Sequence, residues 1–266
     1  MEYKQVWRFY VSRPENDSPG QKIQFEPDEV HFANAVLRLA PNEQVELADG
    51  DGWTARAVLS RVDKKVVLAE IVESKMHSEP QRKLAAIVGI TKPGALDEVV
   101  QACVEAGIQT LVLFKGDKTS SRQEMKTEKI EKQIREICRI TKSPWCLKLQ
   151  VVDSLRSAMQ TAADGFSMEQ FFVCDERPAN GSLSHEFQTR LLVNAALVST
   201  RVNLAFVVGP EASFSQSEYE YLMDGNFSGQ TEFVSLGARI LRTPAAVAAA
   251  AFVLSAIAES GISGKN

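Results

Sequence analysis

Asn203-Leu204-Ala205-Phe206-Val207-Val208-Gly209-Pro210-Glu211-Ala212-Ser213-Phe214-Ser215 is the stretch that decides how this chain is read. The run 203–208, apolar from Leu204 onward, is too short for a helix, stops at a Gly-Pro turn, and is followed over 216–223 by helical spacing. A short apolar strand that runs through a turn into a helix is the repeating unit of a parallel α/β sheet, whose strands are covered on both faces. Outward from it, 84–90, 110–114, 147–152, 170–174 and 231–234 read as further strands. Helices are expected between and after them over 95–106, 127–140, 155–163, 186–199, 216–223 and 244–259. Ligands on such sheets bind at the carboxyl ends of strands, so the loops that follow strands are where chemistry is sought.

The pattern is different at the N-terminus. Short alternating or β-branched runs at 6–11, 44–48, 53–62 and 66–72, with a turn at Asp49-Gly50-Asp51-Gly52, predict a small β-barrel. Pro27-Asp28-Glu29 leads into a short helix over 31–39 with Phe32, Ala35, Val36 and Leu39 on one face. The expected division is a β-domain over 1–74, a polar linker over 75–83 and an α/β domain over 84–266.

With 266 residues, 44% of them hydrophobic, the chain has apolar material for one large domain or two modest ones. The longest largely apolar stretch, 244–258, falls short of the roughly 20 residues that cross a bilayer, and Met1-Glu2-Tyr3-Lys4 begins no signal peptide. The expected location is the cytoplasm, with no membrane partner. Cys103, Cys138, Cys146 and Cys174 are scattered and none of His31, His77 and His185 stands beside one, so neither a metal site nor a disulfide is indicated. A net charge of −4 argues against a protein that coats nucleic acid. Charge is uneven, however: 115–148 holds ten Lys or Arg against five acids. That segment reads equally as a solvated helix face laced with pairs such as Glu128/Lys132 and Glu131/Arg135, or as a surface that tracks phosphates.

Two late loops carry the candidate chemistry: 208–215, directly after a strand, and 235–244, running into the Ala-rich last helix. Gly-x-Gly-x-x-Gly, a Walker loop and a Gly-x-Ser-x-Gly elbow are all absent from the sequence, which argues against a Rossmann dehydrogenase, a P-loop NTPase and a serine hydrolase. The order of Arg8-Phe9, His31, Val36-Leu37-Arg38, Lys92, Glu105-Ala106-Gly107-Ile108, Gly209-Pro210-Glu211 and Ser235-Leu236-Gly237 with Ile240-Leu241-Arg242-Thr243 resembles the ribosomal RNA small-subunit methyltransferase E family over nearly the whole chain.

The resemblance implies an N-terminal PUA-like RNA-binding domain. It also implies a C-terminal domain of the SPOUT class, with a parallel sheet and a trefoil knot, the knot and cofactor site lying at about 170–258. It further implies a homodimer that transfers a methyl group from S-adenosylmethionine to N3 of a uridine in 16S ribosomal RNA, as naked RNA or within the small ribosomal subunit. Carried over by position, Val208, Gly209, Pro210, Glu211, Leu236, Gly237, Ile240, Leu241 and Arg242 surround the cofactor. Glycines bring backbone donors close to a polar cofactor, and Leu236, Ile240 and Leu241 supply apolar walls. Arg8, Arg13, His31, Arg38, Lys92 and Arg122 are the candidate RNA contacts, and Arg8, Arg38 and Lys92 the candidates to stabilise the uridine anion. Trp7, Phe9, Tyr10 and Trp53 either stack on bases or fill the core of a small domain.

The chain departs from the family pattern in three places. Ala212-Ser213 stands where Gly-Gly usually follows Gly-Pro-Glu, Pro244 stands where a glutamate is common, and Arg139 is one place out of register with the usual Gln-Ser-x-Arg element. Two alternatives therefore stay open: a non-catalytic rRNA-binding protein of the same fold, and a knotted methyltransferase acting on a ribose 2′-hydroxyl or on transfer RNA.

Overall fold

The computed structural model describes residues 6–118, 125–175, 190–199, 203–225 and 227–260. The chain forms two compact units, Met1–Glu79 with Arg135–Cys146, and Pro80–Ile134 with Leu147–Asn266.

The first unit is built on β1 (Trp7–Tyr10), β2 (Lys22–Gln24), β3 (Gln44–Ala48), β4 (Trp53–Val62) and β5 (Val67–Met76), in the order β1-β3-β4-β5-β2. β1 runs parallel to β3 and the other pairings are antiparallel. Instead of the expected closed barrel, the described ladder is an open mixed sheet, with β1 and β2 each paired on one side only. The register of β1 on β3 sets Arg8 directly opposite Glu46, so a cation and a carboxylate face each other across neighbouring strands. Helix α1 (Pro27–His31) starts earlier than the sequence predicts because Pro27 occupies its first turn, and it continues as a π-helical turn over Phe32–Val36. The expected linker over 75–83 begins late, since β5 extends to Met76.

Residues 135–146 pack with this first unit although their sequence neighbours belong to the second. Arg139 is the reason. Its guanidinium makes two hydrogen bonds to the Glu29 carboxylate, at 2.8 and 3.0 Å, donates to the Arg8 carbonyl, and lies 4.4 Å from the Phe32 ring centroid. Downstream, Cys146 N–H donates to the Gly50 carbonyl at 2.7 Å and Gly52 N–H to that of Pro144 at 3.0 Å, so the Asp49–Gly52 turn is braced by the same segment.

The second unit carries β6 (Leu84–Gly89), β7 (Thr110–Phe114), β8 (Lys148–Val152), β9 (Gln170–Cys174), β10 (Arg190–Leu191), β11 (Leu204–Val208) and β12 (Gln230–Ser235). Their order is β10-β12-β9-β11-β6-β7-β8 and every pairing is parallel. β6, β7 and β11 are buried at every position, which explains why they are apolar but for Thr110 at the start of β7. α2 (Pro93–Glu105), α5 (Leu192–Val198) and α7 (Thr243–Ser260) pack together, α7 also touching β6 and β11. α4 (Leu155–Gln160) packs with α6 (Gln216–Asp224) and with β6, β7 and β8, closing a core around Ile87, Phe114, Met159, Phe171 and Leu222. α3 (Thr127–Thr141) is the helix whose residues from Arg135 onward belong to the first unit. The helix expected over 186–199 is shorter: Arg190–Leu191 pair with β12, helix begins at Leu192, and 186–189 lie outside the described residues.

Arg139 and Glu29 are both nearly buried, at 7% and 11% side-chain exposure. Removing one partner strands the other charge, so Glu29→Ala is expected to cost the first unit about 3–5 kcal/mol, and Glu29→Leu with Arg139→Met together less than the sum of the single changes. Urea unfolding read by tryptophan fluorescence reports on this unit alone, because Trp7, Trp53 and Trp145 all lie in it. A loss below about 1 kcal/mol would mean a solvated surface pair.

Candidate active site

Strand connections leave β6 in opposite senses: β7 lies on one side of it, while β11, far later in sequence, lies on the other. Ligand clefts on parallel sheets form at the carboxyl ends of strands where the strand order reverses in this way. A cleft of about 590 Å³ is found there, within the usual range for small-molecule sites. It is walled by the ends of β9, β11 and β12, by the β6–α2 connection and by the start of α7.

Gly89 at the end of β6 permits this arrangement. A Cβ there would lie 2.9 Å from Cα of Pro210 and closer still to its N and Cδ, so the loop after β11 can cross β6 only over a glycine. From the crossing the chain turns back, with Ser213 N–H donating to the Pro210 carbonyl at 2.8 Å and Ser213 itself at φ +59°. A capping box then starts α6: the Ser215 hydroxyl accepts from Glu218 N–H at 3.0 Å, and the Glu218 carboxylate accepts from Ser215 N–H at 2.7 Å. On the facing wall, Ser235 closes a tight turn by accepting from Gly237 N–H at 3.1 Å. Gly237 stands at φ +120°, where an L side chain is strained. The Thr243 hydroxyl donates to the Gly209 carbonyl at 3.3 Å and so ties the two loops together.

The cleft thus brings together all nine residues read from sequence as cofactor contacts: Val208, Gly209, Pro210 and Glu211 on one loop, and Leu236, Gly237, Ile240, Leu241 and Arg242 on the other. Lys92 joins them from the β6–α2 connection, its ammonium 3.3 Å from the Glu211 carboxylate. Ile240 is 80% exposed, an apolar side chain standing at a cleft wall. Cys174 and Asp175, at the end of β9, and Gly89 were missed by sequence reasoning. A lone glycine ending an apolar strand was the available signal for Gly89. Desolvation, with the Asp175 charge beside it, pushes the Cys174 thiol above its ordinary value, which disfavours the thiolate.

Of the expected RNA contacts in the second unit, Lys92 lines this cleft. Arg8 corrects the sequence reading: it is 2% exposed, its guanidinium bonded to Glu46 at 2.9 and 3.1 Å and to the carbonyls of Lys142 and Ser143. Such a residue holds the first unit together and has no free donor edge to offer a phosphate or a uridine. Arg13, His31 and Arg38 lie on the first unit, Arg13 3.6 Å from Asp17 and Arg38 at φ +53°. Arg122 lies outside the described residues. Phe9, Tyr10 and Trp53 are core residues, Trp53 donating its indole N–H to Asp17 at 2.8 Å.

Residues 77–255 match the family model described as RNA methyltransferase domain. Ribosomal RNA small subunit methyltransferase E of Mycobacterium bovis is 24% identical over 228 residues, which is 84% of this chain and 82% of that protein; the Mycobacterium tuberculosis protein of the same name matches equally. Among solved structures, ribosomal RNA small subunit methyltransferase E of Neisseria gonorrhoeae, bound to S-adenosyl methionine, superposes with a TM-score of 0.74 at 23% identity, covering 97% of this chain and 98% of that one. A Legionella pneumophila structure, described as a methyltransferase in complex with the same cofactor, gives 0.74 at 22% identity, covering 95% and 98%.

Gly89→Ala is expected to destabilise the second unit by about 1–3 kcal/mol through overpacking against Pro210. Ser213→Gly should stabilise it by about 1 kcal/mol, by removing a Cβ from a left-handed position. Calorimetric unfolding of both variants tests this; an unchanged Gly89→Ala would show that the Pro210 crossing yields freely.

Proposed function

The chain belongs to the RNA methyltransferase domain family, and from that premise we propose that it transfers the methyl group of S-adenosylmethionine to N3 of a uridine in 16S ribosomal RNA. The observation that carries the reading is the cleft that the 208–211 and 236–242 loops share. The residues present suit the cofactor. Leu236, Ile240, Leu241 and Pro210 give apolar surface for an adenine, Gly209 and Gly237 leave main chain uncovered for a ribose or amino-acid tail, and Asp175, Glu211, Arg239 and Arg242 offer charges of both signs to a zwitterion. When bound, the cofactor supplies an electrophilic methyl on a sulfonium.

What the chain must add is orientation and charge. Of Arg8, Arg38 and Lys92, the candidates to stabilise the anion left when a uridine loses its N3 proton, Lys92 lines the cleft and Arg8 is buried, so we assign the role to Lys92, with Arg242 beside it in the cleft lining. Glu211, paired with Lys92, sets where the ammonium rests before RNA arrives. The uridine must leave its stack to reach such a site. We read the N-terminal unit as a PUA-like RNA grip using Arg13, His31 and Arg38, and the second unit as a SPOUT domain with its trefoil knot around the cleft. A homodimer fits the stripe of Ala245, Ala248, Ala249 and half-exposed Phe252 on α7, small residues that let a second copy approach closely. The cytoplasm, where ribosomal RNA is made, is the proposed location.

Titration calorimetry with S-adenosylmethionine should give micromolar binding that Gly237→Val abolishes. Incubation with labelled cofactor and 16S ribosomal RNA, followed by mass mapping, should find one methyl on a uridine base, and RNA affinity should fall steeply with salt. No cofactor binding would favour the non-catalytic RNA-binding reading; a methyl on a ribose or on transfer RNA would replace the substrate assigned here.

A further inference from the structure

Asp117 and Lys118 follow β7 and belong to the basic segment that the sequence offers as a phosphate surface. In the second unit they do something else. The Lys118 ammonium donates to the Phe214 carbonyl at 2.8 Å and reaches that of Ala212 at 3.5 Å. These are the carbonyls on either side of Ser213, the residue held at φ +59°. The Asp117 carboxylate accepts from the Ser215 hydroxyl at 2.7 Å and the Ser217 hydroxyl at 2.8 Å, and Asp117 N–H donates to Glu218 at 3.1 Å. All five contacts fall on 212–218, the outgoing half of the loop whose incoming half walls the cleft. The incoming half is fixed separately, by Gly89 beneath Pro210 and by Thr243 on Gly209.

We propose that Asp117 and Lys118 are positioning residues for cofactor binding, a charged clamp that holds the 209–215 loop in its binding shape. The proposal rests on the assignment of the cleft to S-adenosylmethionine. Its physical basis is preorganisation: a loop containing a left-handed serine in place of a glycine relaxes readily, and ordering it at the moment of binding subtracts from affinity. Hydrogen bonds from a charged ammonium to the two flanking carbonyls oppose that relaxation more strongly than neutral ones. The serine hydroxyls hold the Asp117 carboxyl below its usual value. A depressed folded value means the contribution is present above the ordinary carboxylate range and is lost only as pH falls through the depressed one, so the clamp is closed throughout neutral conditions.

The test compares the full-length wild type with Lys118→Met, Lys118→Arg and Asp117→Ala. Three readouts are needed: calorimetric Kd for S-adenosylmethionine, kcat at saturating cofactor, and amide hydrogen exchange of 209–217. Lys118→Met and Asp117→Ala should raise Kd about tenfold, the effect of losing one charge-assisted hydrogen bond, with kcat changed less than about twofold. Loop exchange should quicken without cofactor present, and Lys118→Arg, which keeps the charge and donors, should return Kd toward wild type. A wild type that binds cofactor, with folded Lys118→Met and Asp117→Ala binding it equally well, overturns the clamp alone. A loss confined to kcat also overturns it. A wild type that binds no cofactor overturns the site assignment, and the clamp with it.

Discussion

Where Pro210 crosses Gly89 the main chains of two strands' exits come closer than any side chain allows, and the candidate site is a consequence of that contact. β6 and β11 are parallel neighbours at the reversal of strand order, so the loop after β11 must pass over the end of β6 to reach α6. With a larger residue at 89 the loop would be lifted outward. The turn closed by Ser213, the capping box of Ser215 and Glu218, and the bond from Thr243 to Gly209 all take their positions from the crossing. The second loop is then held against the first by one hydroxyl, which is enough because α7, continuous with Thr243, packs along β6 and β11 and buries Val247, Ala250 and Leu254.

Cations in this chain are spent internally more than its composition suggests. Arg8 and Lys142 converge on Glu46, Arg139 is sandwiched among rings while paired with Glu29, and Lys118 caps loop carbonyls. Each of these came from a region that sequence reading connected with RNA. The common physical reason is that a guanidinium or ammonium carries several donors, and carboxylates and the carbonyls left over at strand edges and turns accept them. With a net charge of −4, local cations among the described residues, Arg38, Lys92, Arg239 and Arg242 for example, are what the chain offers a polyanion.

The central sheet was legible because a strand covered on both faces is a mostly apolar run: 110–114 and 170–174, apolar after Thr110 and Gln170, are the observed β7 and β9 to the residue. β2 and β10 were not, being three and two residues long with Lys22, Gln24 and Arg190 in them, so no period-2 pattern could form. Nor does periodicity say which core a helix face serves, which is why 135–146 sit on the other side of the expected linker from the unit they pack with. Arg8 was misread for want of strand register; once Glu46 is known to stand opposite, a cross-strand ion pair is the simpler reading. The two loops expected to hold a cofactor come from the family resemblance, and the fold supplies what spacing could not, namely that residues almost thirty apart share one cleft.

The departures at 212, 213 and 244 look different once placed. Ala212 is exposed and does not line the cleft, so its methyl narrows nothing. Ser213 does line it, and adopts the left-handed conformation that a glycine would take with less strain; the backbone path is therefore kept while its stability is reduced. That deficit is local, one residue wide, and it is at this residue that Lys118 spans the flanking carbonyls. Pro244 sits in the first turn of α7, where its missing N–H costs no helical bond, but it brings no carboxylate to the wall. The acidic groups that remain are Asp175 and Glu211, on the β9 and β11 sides.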